Sequence, residues 1–152
     1  MQRILMVGWG FPPEIDGGLD IHVANLFRSL QDSSFEVELM LPEYRAPDEE
    51  GVIPVDTEKD ILPASKDMAA RAARESERFD IIHTHDWFGS EAGLKASKHG
   101  DTRWISTFHS LNHQRSHKGS REIEKRERAA AEKADKVISV SRDLSHQLKK
   151  KF

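Results

Sequence analysis

Residues 1–31 read MQRILMVGWGFPPEIDGGLDIHVANLFRSLQ, and the order of segments within them decides the fold class. Residues 4–7 form a short, wholly apolar run, which suits a strand buried on both faces. A stretch rich in Gly and Pro follows, and then Leu19, Val23, Leu26, Phe27 and Leu30 recur with helical spacing. They lay one apolar stripe along residues 19–31. A buried strand, a turn and an amphipathic helix make the first part of a parallel crossover unit.

The same alternation continues down the chain. Phe35, Val37 and Leu39 alternate with Glu36 and Glu38, the period of a strand with one wetter face. Residues 42–63 are rich in Pro and acids and allow at most a short edge strand at 52–55, because Pro54 cannot donate to a central ladder. Further strands are expected at 79–84, 102–108 and 136–140. Helices are expected at 65–78, at 90–99 closed by Gly100, at 120–134 with Ser120 as N-cap, and from Ser141 onward. Strands separated by helices of this length imply a Rossmann-like, doubly wound parallel α/β sheet.

Composition bounds what such a sheet does. With 152 residues, 37 % hydrophobic and 32 % charged, the chain buries one core and forms a single domain. Lys plus Arg number 23 against 26 Asp plus Glu, a net charge of -3, which argues against a globally basic nucleic-acid binder. Residues 115–152 hold 12 basic and 6 acidic side chains, a balance read as the solvated faces of helices. The absence of cysteine excludes disulfide scaffolds, thiolate nucleophiles and cysteine metal sites. No apolar run approaches the roughly 18 residues of a membrane span, and Pro12 arrives too early for a secretory apolar region, so a cytoplasmic protein is expected.

Ligands of open parallel sheets bind outside the carboxyl ends of the strands. There the sequence places GWGFPPEIDGGLD, HTHDWFG, HSLNHQRSH and SVSRD, which would converge on one rim. Gly17 and Gly18 precede the first helix, where free N–H groups and the helix dipole favour a phosphate or another anion; a plain turn is the alternative. The dinucleotide fingerprint fails, because Phe11, Pro12 and Pro13 stand where its third glycine and helix start belong. His83, His85 and Asp86 suggest a metal-dependent hydrolase, since imidazoles two apart on a strand point the same way. Against that, Trp87 and Phe88 occupy the places where such enzymes carry further ligands. His109, His113 and His117 would share a face only on a helix, and the neighbouring Asn112, Ser116 and Gly119 favour a loop. His109 ends a strand, where a neutral imidazole can hydrogen-bond a sugar hydroxyl or a carbonyl. A non-catalytic module that binds phosphosugars or glycans at the Gly17–Gly18 rim is a third reading.

Four segments in order, FPPEIDGGLDIHVANLFRSL, FDIIHTHDW, WISTFHS and ADKVISVSRDL, resemble the N-terminal half of GT-B glycosyltransferases of the retaining, glycogen-synthase-like group. The resemblance implies one Rossmann-like half of a two-domain enzyme. Gly17 and Gly18 would lie near the diphosphate of a nucleotide-sugar donor, His85, Asp86 and Trp87 would border the sugar and acceptor cleft, and His109 would hydrogen-bond the transferred sugar in the reaction centre. It implies no metal and no cofactor, the nucleotide-sugar being a substrate. It also implies a C-terminal nucleotide-sugar-binding domain as partner, and nothing in the 152 residues corresponds to one, so the chain alone is expected to be inactive. Two positions depart from the pattern: Ile15 stands where glycogen and starch synthases carry Lys, and Asp20 where a small residue is common.

Overall fold

The computed structural model describes residues 1–99, 101–115 and 120–152, so the expected helix closure by Gly100 and the positions of Ser116, His117 and Gly119 lie outside the described residues. Among the described residues six strands form one sheet: β1 (Arg3–Val7), β2 (Glu36–Pro42), β3 (Val52–Val55), β4 (Ile81–His85), β5 (Arg103–Phe108) and β6 (Lys136–Ser139). Their order across the sheet is β3-β2-β1-β4-β5-β6, and every pairing is parallel. The order reverses between β1 and β4, and this is the topological switch point where such sheets take ligands.

Alternation along the strands splits the core between two faces. Ile4 and Met6 of β1 pack with Leu39 of β2 against Val23, Ala24 and Phe27 of α1 (Gly18–Gln31). Leu5 and Val7 point the other way, into a larger cluster with Ile82, Trp104 and Phe108. That face is covered by α2 (Ile61–Glu75), α3 (Ser90–Ala96), α5 (Arg121–Lys133) and α6 (Arg142–Lys151), through Met68, Ala92, Ala130 and Leu144. A one-turn helix, α4 (Asn112–Arg115), follows β5, where the sequence suggests a loop. Ser120 and Ser141 cap α5 and α6, their hydroxyls accepting from the backbone N–H of Ile123 and Leu144 at 3.4 and 3.0 Å.

Boundaries move where local patterns and packing disagree. Helix α2 starts four residues earlier than its alanine-rich stretch suggests: Asp60 takes the cap position and Pro63 sits in the first turn, where its missing N–H costs no hydrogen bond. Strand β4 starts two residues late, because Asp80 turns its carboxylate onto the backbone N–H of Arg3 at 2.8 Å, and it runs on to include His85. Strand β2 extends to Pro42, its final residues buried on both faces between β1 and β3. Helix α3 stops at Ala96 as its last turn tightens, with Lys98 N–H donating to the Lys95 carbonyl and His99 N–H to that of Ala96. It approaches β5 so closely that a Cβ on Gly93 would lie 2.1 Å from Trp104 Nε1, which itself donates to Thr84 Oγ1 at 2.8 Å. Among the described residues no helix is long and apolar enough to cross a membrane.

Candidate active site

The loop leaving β1 is anchored by its apolar residue. Phe11 is fully buried and meets the Phe27 ring edge-on, with centroids 6.3 Å apart. The loop then turns through the cis Pro12–Pro13 bond and a backbone bridge between Phe11 and Glu14. Asp20, in the first turn of α1, is buried, and its Oδ2 accepts from the backbone N–H of Asp16 at 2.7 Å. The acid that departs from the family pattern therefore braces the loop before Gly17. A Cβ on Gly10 would stand 2.5 Å from the same oxygen, so glycine at 10 is a packing requirement.

Gly17 and Gly18 are different. A Cβ on either would meet nothing within 4 Å, and Gly17 is extended, with φ 171°, so neither packing nor backbone geometry calls for glycine. They open the N-terminus of the 14-residue α1, whose unpaired N–H groups suit an anion. Beside them Trp9 Nε1 and an Arg45 guanidinium nitrogen both donate to Asp16 Oδ2, at 2.9 and 2.8 Å. Arg45 also lies over the Trp9 ring at 4.6 Å. The Arg45 and Trp9 donors hold the Asp16 carboxyl below the usual carboxylate range.

The second wall comes from the end of β4. His83 and His85 share the α1 face of the sheet, with ring centroids 4.4 Å apart. His83 Nε2 meets Thr107 Oγ1 at 2.8 Å. Burial, reinforced by the neighbouring His22 and His109, pushes His83 down to about 4. The fully buried His85 is held well below the ordinary histidine value, first by burial and then by His83, His109 and His22. Both rings are therefore neutral at pH 7 and act as hydrogen-bond partners, not charges. His85 Nε2 is buried without a hydrogen-bond partner.

Asp86 adopts φ 53°, a left-handed backbone that costs a non-glycine residue and persists only where its surroundings demand it. Here its Oδ1 accepts from the backbone N–H of His109 at 2.7 Å and of Ser110 at 3.4 Å, while its own N–H donates to the Thr107 carbonyl. The carboxylate thus ties the end of β4 to that of β5, and among the described residues His83, His85 and Asp86 do not form a convergent set of ligand atoms as the hydrolase reading requires. Trp87 is buried in a 3-10 turn (Trp87–Gly89), with the Arg126 guanidinium 5.8 Å from its ring centroid.

One cleft of about 440 Å³ brings these parts together: Gly17, Gly18, His85, Asp86 and Trp87 all line it, with Trp9 and Asp16. His109 stands beside it, half-buried, its Nε2 3.3 Å from His85 Nδ1 and its backbone held by Asp86. His83 lies behind His85, and His113 is exposed on α4. Sequence reasoning missed Trp9, Asp16, Arg45 and His22, the last with its ring centroid 4.8 Å from that of His109. Trp9 and Asp16 carried a signal by standing in the β1 loop, and His22 by lying in the segment that resembles the GT-B group, whereas Arg45 carried none.

Residues 16–152 match the family model described as Glycosyltransferase Family 4. An uncharacterized glycosyltransferase of Methanocaldococcus jannaschii is 27 % identical over 164 residues, covering 97 % of this chain and 42 % of that protein. A glycogen synthase of Mycobacterium tuberculosis is 25 % identical over 187 residues, covering 99 % and 45 %. Among solved structures, sucrose-phosphate synthase from Thermosynechococcus elongatus superposes with a TM-score of 0.74 at 21 % identity, over 99 % of this chain and 45 % of that one. The chain spans less than half the length of each of these relatives, and its architecture is that of one Rossmann-like half of a GT-B fold.

Proposed function

Because the chain belongs to glycosyltransferase family 4, we propose that it is the acceptor-side domain of a retaining transferase that moves a sugar, glucosyl by preference, from a nucleotide-sugar to a glycan or small acceptor. A second, nucleotide-binding domain would close over the cleft and complete the site. Gly17 and Gly18 admit the donor diphosphate to the N-terminus of α1, which stabilises it by N–H groups and the helix dipole. His85, Asp86 and Trp87 border the sugar and acceptor. His109 hydrogen-bonds the transferred sugar, acting by positioning and by stabilising charge as the donor bond breaks. No metal has a part in this scheme.

The observation that carries the reading is the open space over Gly17 and Gly18: two glycines that the fold does not need face the cleft lined by His85, Asp86 and Trp87. The test is His109→Ala in a polypeptide that joins this domain to a nucleotide-sugar-binding partner domain. Sugar transfer is expected to fall about 100-fold or more, the scale of losing one well-placed polar group in an active site. Unchanged turnover would remove His109 from the reaction centre. Appreciable transfer by residues 1–152 alone would refute the two-domain premise, and glycan binding without any turnover in the joined protein would favour a binding module.

A further inference from the structure

The imidazoles of His22, His85 and His109 converge from three separate elements, α1, β4 and the end of β5. One nitrogen of each lies within 4.8 Å of the other two. The closest pair, His85 Nδ1 and His109 Nε2, is 3.3 Å apart. Two nitrogens bound to one tetrahedral zinc ion at 2.0–2.1 Å stand roughly 3.3–3.4 Å from each other, so this pair already has the spacing of two zinc ligands. His85 is held in place by burial, and its Nδ1 is the nitrogen turned toward His109. His22 is exposed, and rotation of its side chain brings a third nitrogen in from the solvent side. Solvent would supply the fourth position, the arrangement of an open three-histidine site.

We propose that His22, His85 and His109 bind one transition-metal ion of the zinc class. Three neutral nitrogen ligands and no carboxylate select zinc, nickel or copper over magnesium or calcium, which require oxygen. The site shares His85 with the His83, His85 and Asp86 set but replaces His83 and Asp86, whose Oδ1 accepts from backbone N–H groups, by His22 and His109. Binding requires neither donor nor acceptor, so it stands or falls independently of sugar transfer. An ion there occupies the His109 nitrogen facing His85 and thereby competes with any sugar hydroxyl for that ring.

The test is calorimetric titration of the untagged chain with zinc chloride at pH 7.5, alongside its melting temperature with and without the ion. One zinc per chain is expected, with a rise in melting temperature, because a ligand that binds only the folded state stabilises it. His22→Ala should weaken binding at least tenfold and abolish that rise while leaving the melting temperature without metal unchanged, since His22 is exposed. His99→Ala, at an exposed position after α3, and His146→Ala, at an exposed position on α6, should bind as the parent does. No zinc uptake, or uptake that survives His22→Ala at full affinity, would overturn the assignment. Titration with magnesium chloride should give no binding, and equal affinity for magnesium would overturn it as well.

Discussion

The two ends of the sheet carry hollows of opposite character. At the amino ends of the strands, a hollow of about 820 Å³ runs past Arg3, Glu36, Glu38 and Arg78. Its arginines are answered by carboxylates: Arg78 by Glu38 and Glu75, and Arg3 by Asp80. At the carboxyl ends, the cleft has about half that volume. It is lined by an imidazole nitrogen without a partner, a strained aspartate and two glycines with empty space above them. Groups that already pair with one another offer little to a ligand, whereas a buried imidazole nitrogen without a partner and glycines under open space leave room for one.

The comparison is most severely tested where the carboxyl rim rests on a buried ion. Arg126, 5 % exposed, donates to Glu91, Glu122 and Ser65 beneath Trp87. Its carboxylate partners keep 25 % and 48 % of their side-chain surface exposed, so Arg126→Met strands no buried charge; the lost hydrogen bonds, that to Ser65 among them, should cost about 2 kcal/mol in urea unfolding, and a loss below about 0.5 kcal/mol would mean that the rim does not depend on it.

A pH series comes next. His83 is lowered from 6.5 to about 4, so between those values the unfolded chain binds more protons than the folded one. Stability contributed by neutral His83 is complete above about pH 6.5 and is lost as pH falls toward 4, up to roughly 3 kcal/mol at 1.36 kcal/mol per unit. His85 acts in the same sense. Unfolding measured from pH 4 to 7 should show this slope, and His83→Gln should make it shallower. An identical slope in the variant would assign the effect elsewhere.

The glycines sharpen the contrast further. Gly93→Ala forces a methyl into Trp104 and should destabilise by about 2 kcal/mol, the cost of overpacking a filled core. Gly17→Ala should leave stability within about 0.5 kcal/mol yet raise the KM for a nucleotide-sugar in the two-domain protein. If Gly17→Ala unfolds the chain instead, that glycine is structural and the open-space argument fails. The smallest effect belongs to the amino-end hollow: Arg78→Ala should cost less than about 1 kcal/mol, since its side chain is half exposed and its ion pairs are screened, and should leave transfer unchanged.

Much of this was legible beforehand. The run at 4–7, the stripe from Leu19 to Leu30 and the caps at Ser120 and Ser141 announced their elements because periodicity and capping act within a few residues. Pro54 does sit in an edge strand, where its missing donor costs nothing. The start of α2 was hidden because Pro63 reads as a helix breaker although a first turn tolerates it. The basic C-terminal third, read as solvated faces, conceals Arg126. Nothing in the spacing of Arg126 distinguishes it from Arg128, which is exposed, because the difference lies in which helix covers it.

What the chain determined by itself is the parallel α/β sheet and the rim on which its polar loops must gather, since the alternation of buried strands and amphipathic helices leaves few other ways to bury both faces. Which residues meet on that rim was decided only by tertiary structure. His22 joins His85 and His109 from a helix more than 60 positions away, Asp86 turns its carboxylate onto the backbone of the next strand, and Gly17 parts company with Gly93. The physical reason is range: a helix or strand is set by neighbours along the chain, whereas a site is set by side chains brought together across a sheet whose register no local pattern records.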